Sequence, residues 1–392
     1  MALASSTIKS RLALRIAVGA MFFMAGLSFA SWASRIPAIQ QSLHLSDAAL
    51  GGVLFAIPTG LMCSLPFTGW AITKVGSRKL LVAAILFYGI FLAGLGAAKN
   101  VYELIGCLWC FGFVGNSVNI AVNTQAVAAE KLYPKPIMAS FHGIWSLAGF
   151  TGAGVGIFMI SEKIIPFYHF VCILCVIIAG VIITSRDLED DSSKAAEEGA
   201  MVLSIRERLK AMVPLLKLGI LAFCSMICEG TMFDWSGVYF KKVILANGGW
   251  VGAGYFAFMC MMASGRFTAD WFAGKYGLKR TLQISGSLTA TGLLISVLFP
   301  HLITGILGFM LVGVGVSSVV PMIYSSAGKT AGMAPGIALT AVTTIGFTGF
   351  LIGPPLIGFI AGIATLRASF LVIACMGACV AIISSRIKFD QG

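Results

Sequence analysis

The sequence predicts an all-α membrane protein of twelve transmembrane helices, arranged as two pseudo-symmetric six-helix bundles. Three observations carry this reading. The chain is 58% hydrophobic and 11% charged, whereas soluble domains carry roughly 25% charged residues. Twelve stretches are long and apolar enough to cross a bilayer. The tetrapeptide Gly-Phe-Thr-Gly occurs twice, at 149–152 and 346–349, and each copy is followed at the same distance by a further glycine, Gly156 and Gly353.

A membrane helix needs ~20 apolar residues. Segments free of Asp, Glu, Lys and Arg run over 16–34, 48–73, 80–98, 104–129, 136–161 and 164–185 in the first half, and over 243–265, 281–328, 330–366 and 368–385 in the second. The longest of these is two helices, divided near Pro300-His301. The stretch 218–240 has the same character but contains Glu229 and Asp234. Six helices therefore fall in each half. The first has a basic flank like a signal peptide, but its core is long for one and eleven spans follow, so it is read as retained.

A net charge of +12 suggests nucleic acid in a soluble protein, but its distribution excludes that here. With the amino terminus cytoplasmic, twenty of the 27 Lys and Arg fall in inner segments and six in outer ones, with Arg266 near a helix end left aside. This positive-inside bias fixes the orientation. With twelve spans it predicts both termini in the cytoplasm. The ten cysteines lie within apolar spans, where cysteine behaves as a small hydrophobe. No His completes a metal site, so neither metal nor cofactor is expected.

One polar segment is long, at 186–214, and a short surface helix is expected at Ser204–Met212. The domains are accordingly an amino-terminal bundle over 1–185, a cytoplasmic linker over 186–214 and a carboxy-terminal bundle over 215–392. The repeated glycines are read chiefly as helix-packing sites, since small residues let helices approach closely in lipid. Pro354-Pro355 is expected to disturb the hydrogen-bond ladder of its span.

The two halves, the central linker and the connection between spans two and three resemble the major facilitator superfamily. In that connection the family pattern is matched by Gly69, Lys74, Gly76, Arg78 and Lys79, with Thr73 in place of the family's aspartate. The corresponding place in the second half holds Gly274, Lys275, Gly277 and Arg280, and upstream of it Arg266 and Asp270 stand as a substitute ion pair. The stretches Asn123–Val127 and Ser140–Gly143, with Arg35-Ile36-Pro37 and Asp234-Trp235-Ser236, resemble its YbjJ/MosC-like branch. The resemblance implies alternating-access transport with Lys74, Arg78, Arg266 and Asp270 at the cytoplasmic gate. Its link to rhizopine, an amino-inositol derivative, hints at a sugar-, polyol- or amino-sugar-like solute.

Several residues are candidates for the transport chemistry. Glu229 falls near the middle of its span, where an ionisable group costs ~3 kcal/mol and is tolerated only toward the bundle interior or water. It is a candidate for substrate binding and proton coupling, against a structural carboxyl bonded to a neighbouring helix. Asp234 lies ~140° further round the helix and is a second proton-coupling candidate, expected nearer the outer surface and pairing with Arg35 at an outer gate. Asn116, Asn119 and Asn123 form a stripe that could read hydroxyl or amino groups, against ordinary interhelical bonding. His142 and Trp145 are placed at an inner gate. Trp32 and Trp235 are read as interfacial anchors or as stacking faces for a ring, and Tyr324 as an interface residue.

No phosphate-binding loop, HExxH motif or clustered acid/base constellation is visible, so an enzyme is not expected. The reading is a monomeric secondary transporter for a small polar solute, with protons as a candidate coupling ion. A multidrug-type proton antiporter is the alternative, and a non-transporting solute sensor a third.

Overall fold

A computed structural model describes the backbone of residues 2–130, 132–133, 137–190, 205–328 and 335–387. Its helices are α1 (Ala2–Ser42), α2 (Asp47–Leu54), α3 (Ala56–Val75), α4 (Ser77–Ala97), α5 (Val101–Glu130), α6 (Met138–Ser161), α7 (Pro166–Thr184), α8 (Ile205–Lys242), α9 (Ala253–Tyr276), α10 (Leu278–Leu298), α11 (Leu302–Ser317), α12 (Val319–Gly328), α13 (Pro335–Ile363) and α14 (Leu366–Arg386). No strand occurs among the described residues.

These fourteen helices make twelve spans, because α2 with α3 and α11 with α12 each form one broken span. Proline explains both breaks. Pro58 has no N–H for the Leu54 carbonyl, and α2 ends at Leu54; Pro321 has none for the Ser317 carbonyl, and α11 ends at Ser317. Eleven of the spans are long and apolar enough to cross a membrane by length and composition, and α9, which carries Arg266 and Lys275, is the twelfth. The chain is a multi-pass membrane protein.

Two expected boundaries move, and one expected disturbance does not break its helix. The eighth span, expected at 243–265, begins at Ala253 and continues through Arg266 to Tyr276. Asn247-Gly248-Gly249 and positive φ at Leu245 and Gly248 turn the chain before it, and Arg266 stays inside the helix because a carboxylate meets it there. The helix expected at Ser204–Met212 is the start of α8, continuous with the seventh span. Helix α13 runs through Pro354-Pro355 without a break.

The chain divides into two compact units. Unit 1 comprises Met1–His44 and Val53–Ala196; unit 2 comprises Leu45–Gly52 and Glu197–Gly392. The repeated glycines do the same work in each. A Cβ at Gly152 of α6 would lie 2.7 Å from Ala30 Cβ of α1, and one at Gly349 of α13 would lie 2.6 Å from the Phe223 carbonyl of α8. The fifth helix of each half thus closes on the first through the same tetrapeptide. The short links between the second and third spans also correspond: Gly76 and Gly277 adopt φ of 82° and 77°, which L side chains rarely occupy.

Unit 1 uses polar side chains to fasten its helices. Gln125 of α5 donates to Ser77 Oγ at 2.7 Å and to the Glu189 carbonyl at 2.8 Å, and accepts from the Glu189 N–H at 2.9 Å. Arg78 donates to the Ser185 carbonyl at 3.0 Å. Together they hold the polar segment down at its first residues. The ten cysteines are all free thiols.

Candidate functional site

The chemistry concentrates in unit 2, around α8. Its most apolar window is 78% buried, against at most 61% in the other ten spans that are long and apolar enough to cross a membrane, so α8 is a central helix of the unit. Three neighbours surround it at the level of Glu229. Glu229 itself is 7% exposed, and Arg266 of α9 donates to its carboxylate at 3.1 Å. On α12, Tyr324 shares a hydrogen bond with Thr343 of α13 and stands within electrostatic reach of Glu229.

The Glu229–Arg266 pair explains how two ionisable groups are tolerated within apolar spans. Alone, each charge in a low-dielectric interior would be costly; together each supplies the counter-charge of the other. Arg266 is thereby placed against Glu229, where the sequence suggested a gate partnership with Asp270, whose side chain lies outside the described residues. Tyr324, expected at a membrane interface, is half-buried in α12. The Tyr324–Thr343 bond was not foreseen, since neither residue belongs to a local motif.

One turn above, Asp234 is half-buried in α8. It makes no hydrogen bond or ion pair with any described residue. Gly230, between the two acids, receives the ring of Phe350 from α13: a Cβ there would lie 2.7 Å from the ring. Phe350 in turn lies 6.2 Å from Phe347 and stacks on Phe233 at 6.5 Å, centroid to centroid.

The asparagine stripe of α5 divides. Asn116 is buried and donates to Ser64 Oγ of α3 at 2.7 Å, with a longer contact of 3.4 Å to the Leu61 carbonyl. It serves helix association. Asn119 is exposed, and Asn123 donates to its carbonyl at 2.8 Å and to its side-chain oxygen at 3.1 Å. These two keep open polar surface in unit 1.

The remaining candidates are placed as follows. Trp32 and Trp235 are 1% and 0% exposed, so they are core residues rather than interfacial anchors, and neither presents an open ring face in this conformation. Arg35 is 3% exposed and donates to the Ile164 carbonyl in the α6–α7 turn, while its Nε and Nη1 have no hydrogen-bond partner. His142 is exposed and meets the edge of Phe22 at 5.4 Å; Trp145 tilts against Phe29 at 6.4 Å. Lys74 is exposed, and Arg78 anchors the start of the polar segment. The side chain of Thr73 lies outside the described residues. No group of three or more His, Cys, Asp or Glu that could hold a metal occurs among the described residues.

The family model described as Major Facilitator Superfamily matches residues 16–345. An uncharacterised MFS-type transporter of Yersinia pestis is 31% identical over 350 residues, covering 89% of each chain. The membrane protein MosC of Rhizobium meliloti is 31% identical over 375 residues, covering 96% of this chain and 90% of that one. Among solved structures, a mutant of the nucleoside transporter NupG superposes with a TM-score of 0.72 at 14% identity, covering 95% of this chain and 99% of that one. This last likeness is one of fold.

Proposed function

The chain belongs to the Major Facilitator Superfamily, and on that premise we propose that it moves a small polar solute across the bacterial inner membrane by alternating access, using an ion gradient. The observation that carries the coupling is the partly buried Glu229–Arg266 pair in the middle of the seventh and eighth spans. A proton arriving at Glu229 cancels the carboxylate charge and releases Arg266 from its counter-ion. The arrangement therefore has two electrostatic states within apolar surroundings, which is what a coupling element needs.

In this reading the two sequence halves, 1–185 and 215–392, rock about the linker over 186–214, with both termini cytoplasmic and the protein a monomer. Open amides at Asn119 and Asn123 and the Tyr324–Thr343 hydroxyls supply donors and acceptors for a polyol-, sugar- or amino-sugar-like solute. Lys74, Arg78 and His142 with Trp145 belong to the cytoplasmic gate, and Arg35 to the outer one.

The test is a thermal-shift screen of purified protein against polyols, amino sugars and common drugs, followed by proteoliposome flux of whichever solute stabilises it. Glu229→Gln should abolish flux driven by a pH gradient while leaving exchange of solute for solute. Unchanged gradient dependence in that variant would exclude proton coupling at Glu229.

A second reading has one observation in its favour. Phe233, Phe347 and Phe350 cluster beside α8, and an aromatic wall suits the apolar cargo of a multidrug-type proton antiporter. Stabilisation by apolar drugs but not by polyols in the same screen would select it.

A further inference from the structure

The charges of unit 2 are unequally compensated. Glu229 has Arg266 at 3.1 Å, and Lys242 has Asp47 at 2.5 Å. Asp234 has no such partner among the described residues. It lies inside the seventh span, and its surface is only partly covered by the described residues. An ionised carboxylate in that position needs a counter-charge, which a bound cation would supply; without one it takes up a proton.

The residues around it narrow what that cation is. On α8, Asp234 stands within about 40° of Phe223, Ile227 and Gly230, and all three touch α13. Asp234 therefore shares the α13-facing side of α8, one turn beyond the place where the Phe350 ring covers Gly230. Along α13, Thr343, Phe347 and Phe350 fall within about 60° of one another, and each is half-buried. The stripe thus runs from a carboxylate, past two aromatic rings, to the Tyr324–Thr343 hydroxyls.

We propose that Asp234 and the Phe347–Phe350 rings form a recognition subsite for a protonated amine, so that the transported solute is an organic cation. The carboxylate supplies the counter-charge, and ring faces within about 6 Å attract an ammonium through their quadrupole. The hydroxyls of Tyr324 and Thr343 remain for a polar group at the solute's other end. A bare metal ion is less suited to the stripe, since it would want several oxygen ligands where two rings stand. This inference rests on the transport reading and fixes the charge of its solute.

The experiment compares matched amine and hydroxyl compounds as ligands of the purified full-length protein at pH 7: glucosamine against glucose, and phenethylamine against phenethyl alcohol. Thermal melting should rise by about 3 °C at saturation with an amine and stay at baseline with its hydroxyl counterpart. Asp234→Asn should erase the difference, Asp234→Glu should restore part of it, and Asp47→Asn, which removes a carboxylate outside the stripe, should leave it. Phe350→Ala should weaken phenethylamine more than glucosamine. Equal shifts from both members of each pair, or an amine shift that survives Asp234→Asn in a protein eluting as a single monodisperse species, would overturn the proposal. Stabilisation by hydroxyl compounds alone would also overturn it while leaving a transporter of neutral solutes standing.

Discussion

Lys242 Nζ lies 2.5 Å from Asp47 Oδ1, joining the carboxy-terminal end of α8 to the first residue of α2. The two residues are 195 apart in sequence, yet both belong to unit 2. Their side chains are 40% and 18% exposed, so water screens the attraction. A double-mutant cycle of Asp47→Asn and Lys242→Gln should return a coupling of about 0.5 kcal/mol, falling as salt rises.

The buried pair should behave otherwise. Glu229→Gln leaves the Arg266 charge without its carboxylate in an apolar interior, and a loss of about 3 kcal/mol is expected in chemical unfolding. The double variant Glu229→Gln with Arg266→Gln should recover most of that loss, because neither charge is then stranded. A double variant no more stable than the single one would show that Glu229 contributes through something other than charge compensation.

Close helix approach at the repeated tetrapeptide gives a third expectation. In Gly349→Ala the new methyl meets backbone, with the Phe223 carbonyl at 2.6 Å, so α13 must move away from α8. A destabilisation of about 2 kcal/mol is expected. Gly69→Ala and Gly106→Ala, where nothing stands within 4 Å, serve as controls and should shift melting little.

The polar anchors of unit 1 can be separated from its open amides. Gln125→Ala removes three hydrogen bonds at once and should cost about 2 kcal/mol, with faster hydrogen exchange at Glu189. Asn116→Ala should lower melting in the same way through Ser64. Asn119→Ala should leave melting unchanged and alter only the response to solute, since Asn119 is exposed.

Much of this architecture is legible in the chain itself. Apolar runs between charges locate the spans because a lipid interior excludes unpaired charge, and the two Gly-Phe-Thr-Gly copies expose the repeat because each must admit a neighbouring helix. The same rule misplaces α9: Arg266 reads as a boundary until Glu229, 37 residues away, is seen to neutralise it. Partners across helices carry no local signature. Asn116 and Asn119 look alike in sequence and separate only when Ser64 arrives from α3. Trp32 and Trp235 look like interfacial residues because they lie near span ends, yet tertiary packing encloses both.

The interruption of the second span at Phe55 carries a consequence for motion. Residues 45–52 are claimed by one unit and those from Val53 onward by the other, and the proline that follows leaves that point one hydrogen bond short. The short segment before that point seats on α13, where a Cβ at Gly51 would lie 2.6 Å from the Pro354 carbonyl. With one bond fewer to break, the turn at Phe55 is the softest point of its span, and its amides should exchange with solvent hydrogen sooner than those in the middle of α4.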